Sequence, residues 1–277
     1  MMAEAMDVEE RVETLRSTAE EYVGGDDELR PLLHGNRSPI CFHSFEPSSS
    51  GRVDIAQGVG KVINVNKMIR AGCRVKILIE DQRMGGGSSR IRAAGRRMIE
   101  VWKALGMDLD GVKFLWSSEE TNKRAHEYWP LVMGIARENN VQRLASLHPD
   151  PDNVMVDQLW EPIMQCADIL FFEPETNVRI VANVCPTMIS VRKDSSLLGM
   201  VLIVMFSRDL LFLLNRTYVG MEELLVDYST GALHPGDVKP ALAKAINQIL
   251  QPARDHFKKK SEAKVLCNAV KTVEQPR

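Results

Sequence analysis

Cysteine is sparse and unpaired in this 277-residue chain: Cys41, Cys73, Cys166, Cys185 and Cys267 are scattered, odd in number and without a C-x-x-C couple. That pattern excludes a disulfide framework and a zinc knuckle and fits a reducing cytosol. The histidines, His34, His43, His126, His148, His234 and His256, show neither H-E-x-x-H nor another metal spacing, so no metal site is expected and solvated or capping roles fall to them. Gly85 to Gly87 with Ser88 and Ser89 lack the G-K-[ST] ending of a P-loop and read as a shortened linker. A formal charge of -2 leaves no global cationic field, so DNA is not an expected partner and any RNA contact must come from a local patch. The acidic start MMAEAMDVEERVETL carries neither a secretory nor a transit pattern, which leads to the expectation of a cytoplasmic location. The apolar stretch Leu197 to Leu214 is divided by Arg208 and Asp209 into pieces shorter than the ~20 residues of a membrane span. A buried helix, or a misfolding-prone remnant, is expected there and no membrane partner.

What the chain does carry is an alternation of strands and helices. Val8, Val12, Leu15, Ala19 and Tyr22 mark an amphipathic helix ended by Gly24 and Gly25. ICFHSF (40–45) is a β-prone run, Pro47 to Gly51 breaks it, and Ile55, Val59, Val62, Ile63 and Asn66 follow at helical spacing. CRVKILIE predicts a second strand, IRAAGRRMIEVWKAL a helix and VKFLW a third strand. SSEETNKRAHEYWPLVMGIAR predicts one helix opened by a capping box of Ser117 and Glu120. SLHPDPDN is a loop, and the next helix carries Gln165 and Asp168 into ILFF, read as a strand. Strands separated by helices imply a parallel sheet with helices on its faces, and a ligand crevice beyond the carboxyl ends of the strands. The helix start after the Pro/Ser/Gly turn, with its unpaired N–H groups and partial positive charge, is a natural phosphate site. A long helix through Ala241, Ala245, Ile249, Leu250 and Ala253, kinked at Pro252, closes the chain. Lys258, Lys259 and Lys260 read as its solvated end, and Trp102, Trp116, Trp129 and Trp160 as core or interface fillers.

FEPSSSGRVDIAQG, in the first strand-turn-helix unit, closely resembles the YDGFEPSGRxHIAQG pattern of eukaryotic, plant-like tyrosine–tRNA ligases, which are class I aminoacyl-tRNA synthetases. ELRPLL, INVNKMIRAGCRVKI, VWKALGMDLDGVKFLWSSEE, YWPLVMGIAR, PIMQCADILFF and the tail DYSTGALHPGDVKPALAKAINQILQPARDHFKK resemble that family in the same order. The resemblance covers about Glu28 to Leu170 and Met221 to Lys260; Pro174 to Gly220 match poorly. It implies an α/β fold: a Rossmann-like catalytic domain over residues 1–195, with internal deletions, then a small all-helical, anticodon-binding-like region over 196–277. It also implies ATP with Mg as co-substrate, tyrosine and tyrosine tRNA as partners, cytoplasmic protein synthesis as the setting, and a dimer. By position, Glu46, Pro47, Gly51, Ala56 and Gln57 are its nucleotide-side residues, and Phe42, Glu161, Gln165 and Asp168 its amino-acid pocket.

Departures from the pattern fall on the substrate positions, which marks the chain as a truncated or degenerate paralogue. Asp54 stands where the family has the first His of its HIGH-type motif, so an anion replaces a phosphate-holding group. One lost transition-state donor costs about 3–4 kcal/mol, or ~100- to 1,000-fold in rate, and a carboxylate near phosphate adds repulsion. FEPSSSGR also carries two more residues than FEPSGR. Phe42 and Glu161 occupy the places of two tyrosines that hydrogen-bond the substrate, whereas Gln165 and Asp168 match the residues that hold its ammonium and hydroxyl. The GMDQRKVN segment and the KMSKS-type loop have no counterpart between Phe172 and Val219, and IEDQRMGGGSSR is a shortened loop. The expectation is a ligase-family protein with weak or absent activity. The alternatives are a non-catalytic tRNA-binding or dimerising partner of a full-length ligase, as homodimer or heterodimer, and a decaying gene copy.

Overall fold

The computed structural model describes residues 6–18, 26–35, 38–48, 53, 55–82, 89–172, 211–213, 216–218 and 221–271. Three parallel strands, β1 (Ile40–Phe45), β2 (Arg74–Ile79) and β3 (Val112–Trp116), lie in the order β1-β2-β3, with Phe42 opposite Lys76 and Ile77 opposite Phe114. Strand alternation sends Cys41, Phe45, Val75, Ile77 and Ile79 to one face. Against them pack α1 (Val8–Arg16), α2 (Asp26–Gly35), α3 (Lys61–Arg70) and α4 (Ser89–Ala104), through Leu15, Leu33, Val65, Met68 and Trp102. Leu78 and Leu115 point the other way, to a second core with α6 (Ala125–Arg137), α7 (Val141–Ala145) and α8 (Val156–Phe171). Helices on both faces of a parallel sheet are the Rossmann-like arrangement that the alternation predicts.

The turns that bring each helix back to the sheet are written locally. After α3, Gly72 at φ 84° lets its N–H reach Ile69 O and that of Cys73 reach Met68 O; after α4, Gly106 at φ 87° does the same towards Lys103 and Trp102. Both are Schellman closures, which require a left-handed residue that glycine adopts without strain. The first helix ends at Arg16, earlier than the expected Gly24, because the Ser17 and Thr18 hydroxyls bond back to the carbonyls of Thr14 and Leu15. Gly24 and Gly25 lie outside the described residues.

Three further expectations are corrected. ILFF is not a strand: α8 runs through Phe171, with Ile163, Ala167 and Phe171 buried along one face of the helix. A short apolar run carries no period of its own, and the tertiary contacts decided it. The single helix from Ser117 is two, α5 (Ser117–Lys123) and α6, broken at Arg124. Its capping box does not form, because the Ser117 hydroxyl bonds the Asp81 carboxylate instead. His43 is buried in the core rather than solvated.

Beyond Phe172 the described chain resumes at Leu211–Leu213 (β4), paired antiparallel with Arg216–Tyr218 (β5), so the end of the apolar stretch is strand rather than helix. The rest of that stretch, the boundary at 195/196 and Gly85 to Gly87 lie outside the described residues. Three helices follow: α9 (Met221–Ser229), α10 (Pro235–Lys259) and α11 (Ser261–Lys271). The helix α10 continues through both Pro240 and Pro252, and its residues Val238, Leu242 and Ala245 form a small core with Leu224 and Leu233. Its far end returns to the sheet layer, where Phe257 packs on the main core and Val270 of α11 meets Ala93 and Ala94 of α4. Among the described residues no helix is long and apolar enough to cross a membrane.

Candidate functional site

The carboxyl ends of β1, β2 and β3 stand side by side, and the segments leaving them form one edge. From β1 the chain passes through half-buried Glu46 and buried Pro47. Gly51 and Asp54 lie outside the described residues. The helix then opens as a π-helical turn, Ala56–Gly60, before α3 begins at Lys61, and wide turns of this kind recur at functional sites. Ala56 and Gln57 are half-buried in it, and the Trp102 indole of α4 donates to the Gln57 carbonyl at 2.9 Å, fixing the turn from below. Lys61 is buried as well: its Nζ donates to Ser44 O at the end of β1 at 2.7 Å, and burial lowers its pKa from 10.5 to about 8.

At the ends of β2 and β3 the buried Asp81 carboxylate is a hub. Its Oδ1 accepts from Ser117 Oγ at 3.1 Å and from the Ser118 N–H at 2.9 Å. Its Oδ2 accepts from Ser118 Oγ at 2.7 Å and Arg92 Nε at 2.8 Å. Burial pushes its pKa up, but the Ser118, Arg92 and Ser117 bonds outweigh that and hold it below the usual aspartate value. The Arg92 guanidinium also lies over the Trp116 ring at 5.0 Å and bonds Glu119 at 2.8 Å. This hub ties α4, β2 and α5 into one rigid edge. Sequence reading missed it, since its members are distant along the chain and only Ser117 carried a signal, for a cap it does not make.

The proposed amino-acid pocket lies on the opposite face of the sheet. Glu161, Gln165 and Asp168 fall on one face of α8 by their four- and three-residue spacing. Glu161 and Gln165 are exposed, so the new charge of Glu161 carries no burial cost, while Asp168 is buried. Phe42 of β1 is joined to Asp168 by a chain of aromatic contacts. Its ring is stacked with Phe172 at 6.1 Å; Phe172 meets Phe171 edge-on at 5.1 Å, and Phe171 meets Tyr128 edge-on at 5.1 Å. The Tyr128 hydroxyl then donates to Asp168 Oδ1 at 2.8 Å. The structure thus brings Phe42 into one apolar cluster with Leu78 and Leu115, joins Asp168 to it through Tyr128, and leaves Glu161 and Gln165 exposed on α8. Tyr128 is the member that spacing did not disclose: the buried pair Tyr128 and Val132 signals a helix face, but its partner lies 40 residues on.

The family described as tRNA synthetases class I (W and Y) matches residues 34–186. Tyrosine–tRNA ligase 1, cytoplasmic, of Arabidopsis thaliana is 37% identical over 96% of this chain and 89% of its own length; tyrosine–tRNA ligase 2, cytoplasmic, of the same plant is 34% identical over 96% of this chain and 46% of its own. The first alignment extends over 346 residues, more than the 277 of this chain, so the relative has many residues with no counterpart here. The structure of Leishmania major tyrosyl-tRNA synthetase in complex with tyrosinol superposes with a TM-score of 0.79 at 26% identity, covering 99% of this chain. The chain spans 53% of that protein.

Proposed function

Because the chain belongs to the class I tRNA synthetases of the tryptophan and tyrosine group, we propose that it keeps the recognition of a phenolic amino acid and has lost most of the capacity to activate it with ATP. The observation that carries the first half is the buried Asp168, bonded by Tyr128 at 2.8 Å and set in an aromatic wall with Phe42. A buried carboxylate in an apolar wall is costly unless it has donors, and a ligand hydroxyl is a donor of the right kind. The exposed Gln165, one helical turn away, offers a polar contact for the ammonium end.

The second half is supported by what stands on the phosphate side. In the sequence motif Asp54 stands in place of the family's first HIGH-type His, and the cation-bearing KMSKS-type loop has no counterpart. The buried cation of that region, Lys61, donates its hydrogen bond to Ser44 O at the end of β1. The family uses ATP, with Mg, and the named relatives are called cytoplasmic, which supports the same compartment and the ancestral partners tyrosine and tyrosine tRNA for this chain. In this reading residues 1–195 descend from the catalytic domain and 196–277 from the anticodon-side region.

A second reading, a non-catalytic dimerising partner of a full-length ligase, is favoured by one observation. Trp129 and Met133 stand 45% and 46% exposed at four-residue spacing on one face of α6, two neighbouring apolar side chains that a partner surface would cover. Tyrosine-dependent ATP–pyrophosphate exchange, with calorimetric tyrosine binding alongside, tests the first reading. Tyrosine should bind, exchange should run at least ~100-fold below an intact ligase, and Asp54→His should raise it. Exchange at the rate of an intact ligase sinks the loss of activation; absence of tyrosine binding sinks the recognition.

A further inference from the structure

We infer that Tyr128 is a positioning residue for phenol recognition: it holds the Asp168 carboxylate in the orientation that reads the hydroxyl of the ligand. The inference rests on the amino-acid recognition argued above. Tyr128 is 0% exposed and Asp168 5% exposed, on two different helices, α6 and α8, and the 2.8 Å bond from the phenol to Oδ1 joins them. Aromatic contacts with Trp129 at 5.5 Å and Phe171 at 5.1 Å hold the ring, so the phenol meets the carboxylate from a fixed direction.

The identity of the donor matters for what Asp168 then does. An arginine or lysine in that place would neutralise the carboxylate. A phenol, with a pKa near 10, donates a hydrogen bond while leaving the full negative charge on the carboxylate. A carboxylate offers about four acceptor positions, and the Tyr128 bond takes one of them at Oδ1. Phe42, on the same wall, has no polar atom to share in the task. Reading the ligand hydroxyl therefore falls on Asp168, and its direction on Tyr128. A site built to bond a hydroxyl rejects the analogue lacking it steeply, because a buried polar group is then left unpaired.

The test is the ratio of dissociation constants for L-phenylalanine and L-tyrosine, measured by calorimetry on the full chain and on Tyr128→Phe, with cooperative thermal unfolding as the check of folding. The variant should bind tyrosine about tenfold more weakly and phenylalanine unchanged, collapsing the ratio. A role in packing alone weakens both amino acids alike, and that result overturns the inference, as does an unchanged ratio. If Tyr128→Phe does not fold, the chain produced with 3-fluorotyrosine keeps the shape and carries a more acidic phenol. Its ratio should then shift by about threefold, and an unshifted ratio overturns the inference. A wild-type chain that binds no tyrosine removes the recognition reading itself, and this inference with it; discrimination by wild type that survives in the variants removes only the role of Tyr128.

Discussion

His43 sits under α3 with Nε2 3.3 Å from the Met68 sulfur, and burial, followed by the Lys61 ammonium, pushes its pKa down from 6.5 to about 3. Below pH 6.5 the unfolded chain takes up a proton that the native core refuses until about pH 3, so stability falls through that window by about 1.4 kcal/mol per pH unit. Lys61, lowered from 10.5 to about 8, acts at the other end: the cost of its buried charge is present below pH 8 and lifts as the pH rises to 10.5. Urea unfolding at pH 6.5 and pH 5 should therefore show wild type losing about 2 kcal/mol more than His43→Leu. Equal losses in the two proteins would remove His43 as the acid-sensitive group. The histidine pattern in the sequence suggested solvated roles, and nothing near His43 in the chain announced that β1 alternation would turn it towards Met68.

Helix α4 shows how an element is placed by a single missing side chain. A Cβ built on Gly95 would lie 2.8 Å from Trp116 Cη2 and 3.0 Å from Ile79 Cγ2, so the helix rests directly on β2 and β3. By helix propensity alone Gly95→Ala gains about 1 kcal/mol. Overpacking against Trp116, which is itself held beneath Arg92, costs about 1–3 kcal/mol and should win. The expected outcome is a lower urea midpoint for Gly95→Ala, and a raised midpoint would show that Trp116 yields. The same contest between local and tertiary terms explains the elements that were misread. ILFF was ambiguous by period and became helix because Phe171 and Phe172 had Tyr128 and Phe42 to meet. Ser117 was a good cap and became a ligand of Asp81 because a buried carboxylate needs donors more than an exposed helix end does.

The C-terminal helices are joined to the sheet layer through a narrow seam. Glu100 of α4 accepts from Lys103 Nζ at 2.7 Å and meets His256 Nε2 at 2.7 Å, with Lys260 Nζ at 4.0 Å. Burial raises the Glu100 pKa, and the bonds from Lys103 and His256 outweigh it and hold it below 4.5. This support is present above pH 4.5 and is lost as the pH falls below it. Glu100→Ala should loosen α10 and α11 by about 1–2 kcal/mol and speed amide exchange across residues 235–271, with β1 to β3 unaffected. Exchange accelerated equally in the strands would mean that the seam supports the sheet rather than the helices. Because Phe257 and Val270 also cross the seam, the helices should remain docked in part.

Strand, turn and helix order were legible because they rest on local rules: the β-prone runs ICFHSF and VKFLW, the break from Pro47 to Gly51, and helical spacing from Ile55 onward. Family membership was legible for the same reason, since a motif is a contiguous string. What packs around Asp168 and which buried groups carry charge were decided in three dimensions. The Tyr128–Asp168 bond spans 40 residues and the Asp81 hub joins three elements. His43 and Lys61 owe their altered proton affinities to burial. Desolvation and hydrogen-bond geometry exist only once the sheet has gathered distant side chains around one point, and no run of neighbouring residues encodes them.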